Sequence, residues 1–309
     1  MSATAVLRKA SDNAGMSESN LPQLPCYLNG ELTNLRDAKV SVMDRGFILG
    51  DGVYEVVPVY AGRPFRFEHH MKRLGRSLAE LRIENPMDAQ GWRALVDRMI
   101  AAYAQSQGST PQQMDQLVYI QVTRGVAMRD HVMLPGLTPT VFATSYRITP
   151  PTAANRSEGV ACVTADDFRW KKAHIKSISL AGAVLARQLS ADVGAAETVM
   201  FRDGILSEGA AANVWVVKNA TVMGPPKDNL VLEGIRYGLI EQLCREAGIG
   251  FELRRIPRDE VFGADELLLS NASKEILAVT LLDGKPIGTG RPGPIYDQLY
   301  AGYQRAKLG

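Results

Sequence analysis

Apolar residues fall on two periods along this chain. In the first half, "CYLNGEL" reads as strand, Asn-Gly turn and strand, and "GVYEVVPVYAGRPFRF" repeats that plan around Ala61-Gly62. "EHHMKRLGRSLAELRI" switches to helical spacing, with Leu74, Leu78 and Leu81 on one stripe. "MDAQGWRALVDRMIAAYAQ" is a stronger helix, with Trp92, Leu95, Met99 and Ala102 on one face. "QLVYIQVTRG" and "TPTVFATSYRI" are rich in β-branched and aromatic residues and read as strands. The stretch "TPPTAANRSEG" then loses all apolar period and carries two prolines, as a linker does.

The second half opens on a strand, "VACVTADD", and passes through the basic stretch "KKAHIKSISL". A helix, "ISLAGAVLARQLSADVGA", follows from Ile178 and ends near Gly194. "TVMFRDGILSEG" is a hairpin with an Asp-Gly turn, and "NVWVVKNATVM" supplies two more short strands. "EGIRYGLIEQLCREAG" is an amphipathic helix with Ile235, Leu239 and Leu243 inward and Gly248 as its stop. "ELLLS" and "EILAVTLLDGKPI" read as strands, and "PIYDQLYAGYQRAK" as a closing helix. The pattern predicts an α+β protein of two domains. A loose tail spans residues 1–22, an α/β domain 23–148, a linker 149–158 and a β-rich domain 159–309.

Composition narrows the class of partner. A chain of 309 residues with 46% hydrophobic and 22% charged residues fits an ordinary globular protein of two domains. A formal net charge of +2 gives no electrostatic case for nucleic acid or an anionic membrane as partner. Cys26, Cys162 and Cys244 are odd in number and far apart, with no zinc or disulfide spacing, which favours a reducing compartment. No apolar run reaches the roughly 18 residues of a membrane span. The first twenty residues lack the apolar core of a signal peptide, so the cytoplasm is the expected location. No two of His69, His70, His131 and His174 pair at zinc-ligand spacing, and no metal is expected. "GTGRPG" has too little chain after it to open a dinucleotide-binding unit, and Pro292 removes a donor, so it reads as a loop.

The candidate chemistry begins at the lysines. Lys171 and Lys172 read as a solvated face. Lys176 differs, because it stands between Ile175 and an apolar helix at a strand-to-helix junction. Apolar neighbours strip solvation from a lysine, which disfavours the ammonium form and frees an amine able to form a Schiff base. Glu208 precedes a run of Gly-Ala-Ala-Ala, and small residues let a ligand approach the backbone closely. A carboxylate there suits a protonated heteroaromatic nitrogen. "LEGIRYGL" starts a helix near Gly234, and a helix N-terminus binds anions. "SNAS", residues 270–273, offers hydroxyls after a strand.

These residues match a family. In order, "DRGFILGDGVYEVV", "EHHMKRLGRSL", "QVTRG", "HIKSISLAGAVLARQ", "EGAAANV", "LEGIR" and "LLDGKPIG" resemble the fold-type IV, or class IV, pyridoxal-phosphate aminotransferases, from about residue 24 to 305. The resemblance implies a two-domain fold with a barrel-like C-terminal domain and pyridoxal 5'-phosphate between the domains. It implies that Lys176 holds the cofactor and carries out a 1,3-proton transfer, and that Glu208 keeps the pyridine nitrogen protonated. Arg73, the Ile235 N–H, Arg236, Ala272 and Ser273 would take the phosphate.

Substrate choice follows from "QVTRGVAMRDH". Its Arg129 and His131, with Tyr54, are similar to the carboxylate ligands of the family's D-amino acid aminotransferases. A guanidinium suits a carboxylate because its fork binds both oxygens. The resemblance then implies transamination between a D-amino acid such as D-alanine and a 2-oxo acid such as 2-oxoglutarate. It also implies a homodimer in which Arg129 and His131 reach the partner's site. The rival activities of the same fold are the branched-chain L-amino acid and (R)-amine aminotransferases and aminodeoxychorismate lyase. Against the family's usual pattern, Arg236 replaces a threonine and Ala210 to Ala212 replace serines. A cofactor cup that leans on backbone N–H groups and arginine is expected.

Overall fold

The computed structural model describes residues 17, 18 and 21–308, so most of the tail expected over 1–22 lies outside the described residues. The chain folds as two compact units. The described residues up to Thr149 join Ile175–Leu180 in the first; Pro150–His174 joins the chain from Ala181 onward in the second.

The first unit is built on an antiparallel sheet. Its strands run in the order β2 (Glu31–Asn34), β1 (Pro25–Leu28), β6 (Thr140–Arg147), β5 (Gln116–Thr123), β3 (Gly52–Tyr60) and β4 (Arg63–Pro64). Side chains alternate across a strand, so Val53, Val57 and Val59 share a buried face with Val118, Ile120, Val122 and Ala143. The helices α2 (Phe67–Glu80) and α3 (Ala89–Ser106) supply Leu74, Leu78, Trp92, Leu95 and Met99 to the same core. The other face carries Tyr54, Tyr119, Gln121 and Phe142, all half-buried, with the Tyr54 and Tyr119 rings stacked at 5.8 Å. A short helix, α1 (Arg45–Leu49), starts where the Asp44 side chain accepts the Gly46 N–H and stops at Gly50, whose φ is 66°.

The second unit is a mixed sheet ordered β12 (Gly250–Leu253), β11 (Thr221–Gly224), β10 (Asn213–Lys218), β13 (Glu266–Asn271), β14 (Glu275–Leu282), β7 (Val160–Asp166), β8 (Glu197–Arg202) and β9 (Ile205–Gly209). A short β15 (Lys285–Pro286) pairs with β14. Strand β7 runs parallel to both of its neighbours, and β11 to β12. The sheet curls into a half-barrel, with the Gly209 N–H donating to the Ala212 carbonyl at 2.7 Å where β9 hands over to β10. Val199, Phe201, Val214, Val216, Leu267, Leu269 and Val279 fill its core. The helices of this unit are α4 (Ala153–Ser157), α5 (Ala181–Asp192), α6 (Arg236–Ala247), α7 (Arg258–Phe262) and α8 (Pro294–Leu308). The "GTGRPG" loop leads into α8, whose Ile295 and Tyr296 N–H groups both donate to the Glu266 carboxylate at 2.8 Å.

Turn chemistry sets the hairpins. Asn29-Gly30, Ala61-Gly62, Asp203-Gly204 and Asp283-Gly284 all take positive φ at both residues, which two-residue hairpin turns of type I′ require. Four of the elements described above were not expected, α1, α4, β12 and α7, each of five residues or fewer. A further difference concerns α5, which begins at Ala181 instead of Ile178. Ser177 forms a bridge with Val53, and the Ile178 N–H donates to the Gly52 carbonyl at 3.0 Å. The first unit's sheet thus takes residues that local propensity assigns to the helix.

Candidate active site

That captured segment carries Lys176. Its carbonyl accepts the Tyr54 N–H at 3.0 Å, and its own N–H donates to the Ser77 hydroxyl of α2 at 3.2 Å. Ile175, buried, anchors the segment in the first unit's core. The backbone of Lys176 is therefore held by a strand on one side and a helix on the other. Lys176 is half-buried, and its amine lies 4.0 Å from the centroid of the Tyr54 ring, a cation–π distance. Lys171 and Lys172 are exposed, as a solvated face should be.

Arg73 sits on α2 one turn before Ser77. It is buried, and its Nε and Nη2 donate to the two oxygens of Glu55 at 2.7 and 2.9 Å. Glu55 stands on the apolar face of β3, between Val53 and Val57, and also bonds His70 Nδ1 at 2.8 Å. Although burial opposes ionisation, Arg73 and His70 hold the Glu55 carboxyl far below the usual carboxylate range. The sequence does carry a sign of this pair. An acid at an inward position of an alternating strand must find a partner.

In the second unit, Glu208 is the last but one residue of β9 and is 5% exposed. One oxygen accepts from Arg169 Nη1 at 2.8 Å; the other accepts from Asn213 Nδ2 at 3.3 Å and the Leu232 N–H at 3.2 Å. Arg169 is also clamped on Asp167, through Nε at 2.9 Å and Nη2 at 3.0 Å. Burial pushes the Glu208 carboxyl up to about 7 against the pull of Arg169. Asn213 Nδ2 also donates to the Leu232 carbonyl at 2.9 Å, which ties Glu208 to the segment entering α6. Arg169, Asp167 and Asn213 were not singled out by sequence, because nothing local marks them as partners of residue 208.

The N-terminus of α6 has the character of an anion cradle. No side chain caps Ile235 at the start of the helix, where the Tyr237 N–H donates to the Gly234 carbonyl at 3.0 Å, and the positive end of the helix dipole favours an anion. A Cβ on Gly234 would come 2.0 Å from Asn213 Oδ1, so only glycine lets the two segments meet. Arg236 is buried and turned onto α8, where its Nη2 meets the Tyr303 hydroxyl at 2.9 Å; it also approaches the Ala272 carbonyl at 3.5 Å. Asn271 Oδ1 accepts the N–H groups of Ser273 and Lys274 at 3.1 and 2.7 Å, shaping the turn that presents Ala272 and Ser273. A buried acid beside an uncapped helix start fits a ligand with a basic ring nitrogen and a phosphate.

Arg129 and His131 lie in the first unit on the loop between β5 and β6, both exposed. Among the described residues, no group of three or more His, Cys, Asp or Glu side chains could hold a metal, and no helix is long and apolar enough to cross a membrane.

Residues 52–282 match the family model described as amino-transferase class IV. The chain belongs to this family. It is 35% identical to the D-alanine aminotransferase of Bacillus licheniformis over 280 residues, which is 91% of this chain and 96% of that one. It is 32% identical to the D-alanine aminotransferase of Staphylococcus aureus (strain N315) over 90% of this chain and 96% of that one. Among solved structures, the branched-chain amino acid aminotransferase of Escherichia coli superposes with a TM-score of 0.78 at 23% identity, covering 90% and 92% of the two chains. The fold IV-transaminase CpuTA1 of Curtobacterium pusillum superposes with a TM-score of 0.76 at 26% identity, covering 88% and 92%. The chain therefore has the fold-type IV architecture.

Proposed function

We propose that this protein is a pyridoxal-phosphate-dependent aminotransferase that exchanges an amino group between a D-amino acid, such as D-alanine, and a 2-oxo acid, such as 2-oxoglutarate. The observation that carries this reading is the placement of Lys176, whose backbone is fixed on both sides while its amine rests on the Tyr54 ring. The match to relatives named D-alanine aminotransferases supports the choice of substrate.

When bound, the cofactor supplies an electron sink for charge at the substrate α-carbon. Lys176 Nζ takes the α-proton as general base and delivers it two atoms away. An anchored Cα confines that amine to a short arc, which reduces the entropy lost in reaching the proton. Glu208 holds the ring nitrogen, and Arg169, Asn213 and the Leu232 N–H keep its carboxylate in place. Arg73, the N–H groups at Ile235 and the Ala272–Ser273 turn take the phosphate. Glu55 keeps the Arg73 guanidinium in one orientation. Arg236, turned onto Tyr303, serves this cup by packing α6 against α8.

Tyr54, Arg129 and His131 bind the substrate carboxylate, with the last two offered to the site of a second copy. Exposed apolar side chains support such a homodimer: Val126, Met128, Val132 and Met133 on the same loop, and Val184, Leu185 and Leu189 on α5. Three free, buried cysteines support a reducing, cytoplasmic setting.

Visible absorption of the purified protein tests the reading. Addition of pyridoxal phosphate should give a coloured protein that D-alanine bleaches and L-leucine does not. A protein that stays colourless, or one bleached by L-leucine alone, overturns it.

A further inference from the structure

The loop that carries Arg129 and His131 is anchored beyond Ala127 by a side chain of α1. The loop leaves β5 pinned by backbone pairing: the Arg45 N–H donates to the Gly125 carbonyl at 2.9 Å, Asp44 bridges Val126, and the Ala127 N–H donates to the Met43 carbonyl at 3.3 Å. Past Ala127 the backbone ladder ends. The next hold is the Asp130 carbonyl, which accepts from Arg45 Nη1 at 2.6 Å. On its other side the Asp130 carboxylate accepts the Val132 N–H at 3.1 Å and closes a turn.

Arg45 is 2% exposed. A buried guanidinium needs a counter-charge, and Asp51 supplies it, accepting from Arg45 Nε at 2.8 Å. Asp51 is in turn fixed by Arg124, whose Nε and Nη2 donate to it at 2.7 and 3.0 Å. Arg124 is itself tied to the carbonyls of Arg82 and Leu81 at 2.9 and 2.6 Å. The aspartate thus locks the Arg45 fork, and the free end of that fork is spent on one peptide carbonyl, the one between Arg129 and His131.

We propose that Arg45 is a positioning residue for substrate binding: it pins the Asp130 peptide so that Arg129 and His131 are presented in one arrangement to the substrate carboxylate. This rests on the reading of Arg129 and His131 as the carboxylate ligands. A pinned loop loses less conformational entropy when the carboxylate arrives, so the gain falls on affinity for the substrate. An arginine is needed because only its rigid fork bonds Asp51 and the Asp130 carbonyl together; a lysine has a single head and reaches one.

The test uses holoenzyme carrying Arg45→Lys and Arg45→Met, the lysine variant keeping a cation beside Asp51 should the methionine variant fail to fold. Two quantities are read. Amide hydrogen exchange of residues 126–134 should speed up by about tenfold while exchange in α2 and α3 stays unchanged, as loss of one charged hydrogen bond allows. KM for D-alanine should rise by about tenfold with kcat within about threefold. In an Arg129→Ala, His131→Ala background the same Arg45 change should add less than about twofold, because residues acting as a unit are not additive. Unchanged exchange in the loop, or a full-sized effect in the double background, overturns the role of Arg45. A wild-type KM in Arg129→Ala, His131→Ala overturns instead the carboxylate reading on which it rests.

Discussion

The acids Glu55 and Glu208 show how environment divides one residue type into opposite roles. Glu55 is ionised by Arg73 and His70, and it leaves a cation without its carboxylate if neutralised. Glu55→Gln should cost about 3 kcal/mol or more, read by urea denaturation of the cofactor-free protein, because a buried guanidinium would lose its counter-charge. A loss under about 1 kcal/mol would mean the pair contributes little. Glu208 titrates the other way. With its carboxyl pushed up to about 7, the folded cofactor-free protein holds a proton that the unfolded chain releases near pH 4. The folded state binds more protons across that interval, so this acid makes stability fall as pH rises from about 4 to about 7, by about 3 kcal/mol in total. Glu55, depressed, has the opposite sign: its contribution is present above the unfolded carboxylate range and disappears only as pH falls through its lowered folded value. Subtracting the stability curve of Glu208→Gln from that of the wild type isolates the first effect. A difference that does not change between pH 4 and 7 would remove the assignment.

Among the elements, turns and caps matched their residues more closely than helix starts did. The Asp-Gly and Asn-Gly pairs state their positive φ outright, and so does Gly248 at the end of α6, with φ 68°. Asn219-Ala220 breaks the pattern, because Ala220 holds φ 55° where a Cβ is strained. Ala220→Gly should therefore stabilise the protein by roughly 0.5–1 kcal/mol, while Gly248→Ala, with nothing near its Cβ but the same positive φ, should destabilise it by about 1 kcal/mol. Thermal denaturation checks both, and two shifts of one sign would count against the backbone account. The start of α5 was not legible, because Ser177 and Ile178, at its expected start, pair with β3 instead. β12 escaped notice for a related reason: it is a four-residue strand held by tertiary partners, the parallel strand β11 and the Trp215 ring that meets Phe251.

At the scale of the whole molecule, each unit leaves apolar side chains in the open, the first on the loop after β5 and the second along α5. Met128→Glu and Leu185→Glu place a charge in each. Sedimentation velocity should find the wild type at twice the 33.7 kDa chain mass and the double variant at the chain mass itself. A wild-type monomer, or a variant that still dimerises, would take these faces out of the assembly. The sequence alone determined what local rules carry: helical and strand periods, hairpin turns, the helix stop at Gly248, and the ordered motifs that announce a class IV aminotransferase. Those rules act within a few residues, where backbone sterics and side-chain spacing decide. Only the tertiary structure decided which charges meet. Arg169 finds Glu208 across 39 residues and Arg45 finds the Asp130 carbonyl across 85, and strand pairing, not spacing, brings them together. It also decided that residues 175–180 leave their sequence neighbours for the first unit's sheet. There the backbone of Lys176 gains two hydrogen bonds that a free helix start could not supply.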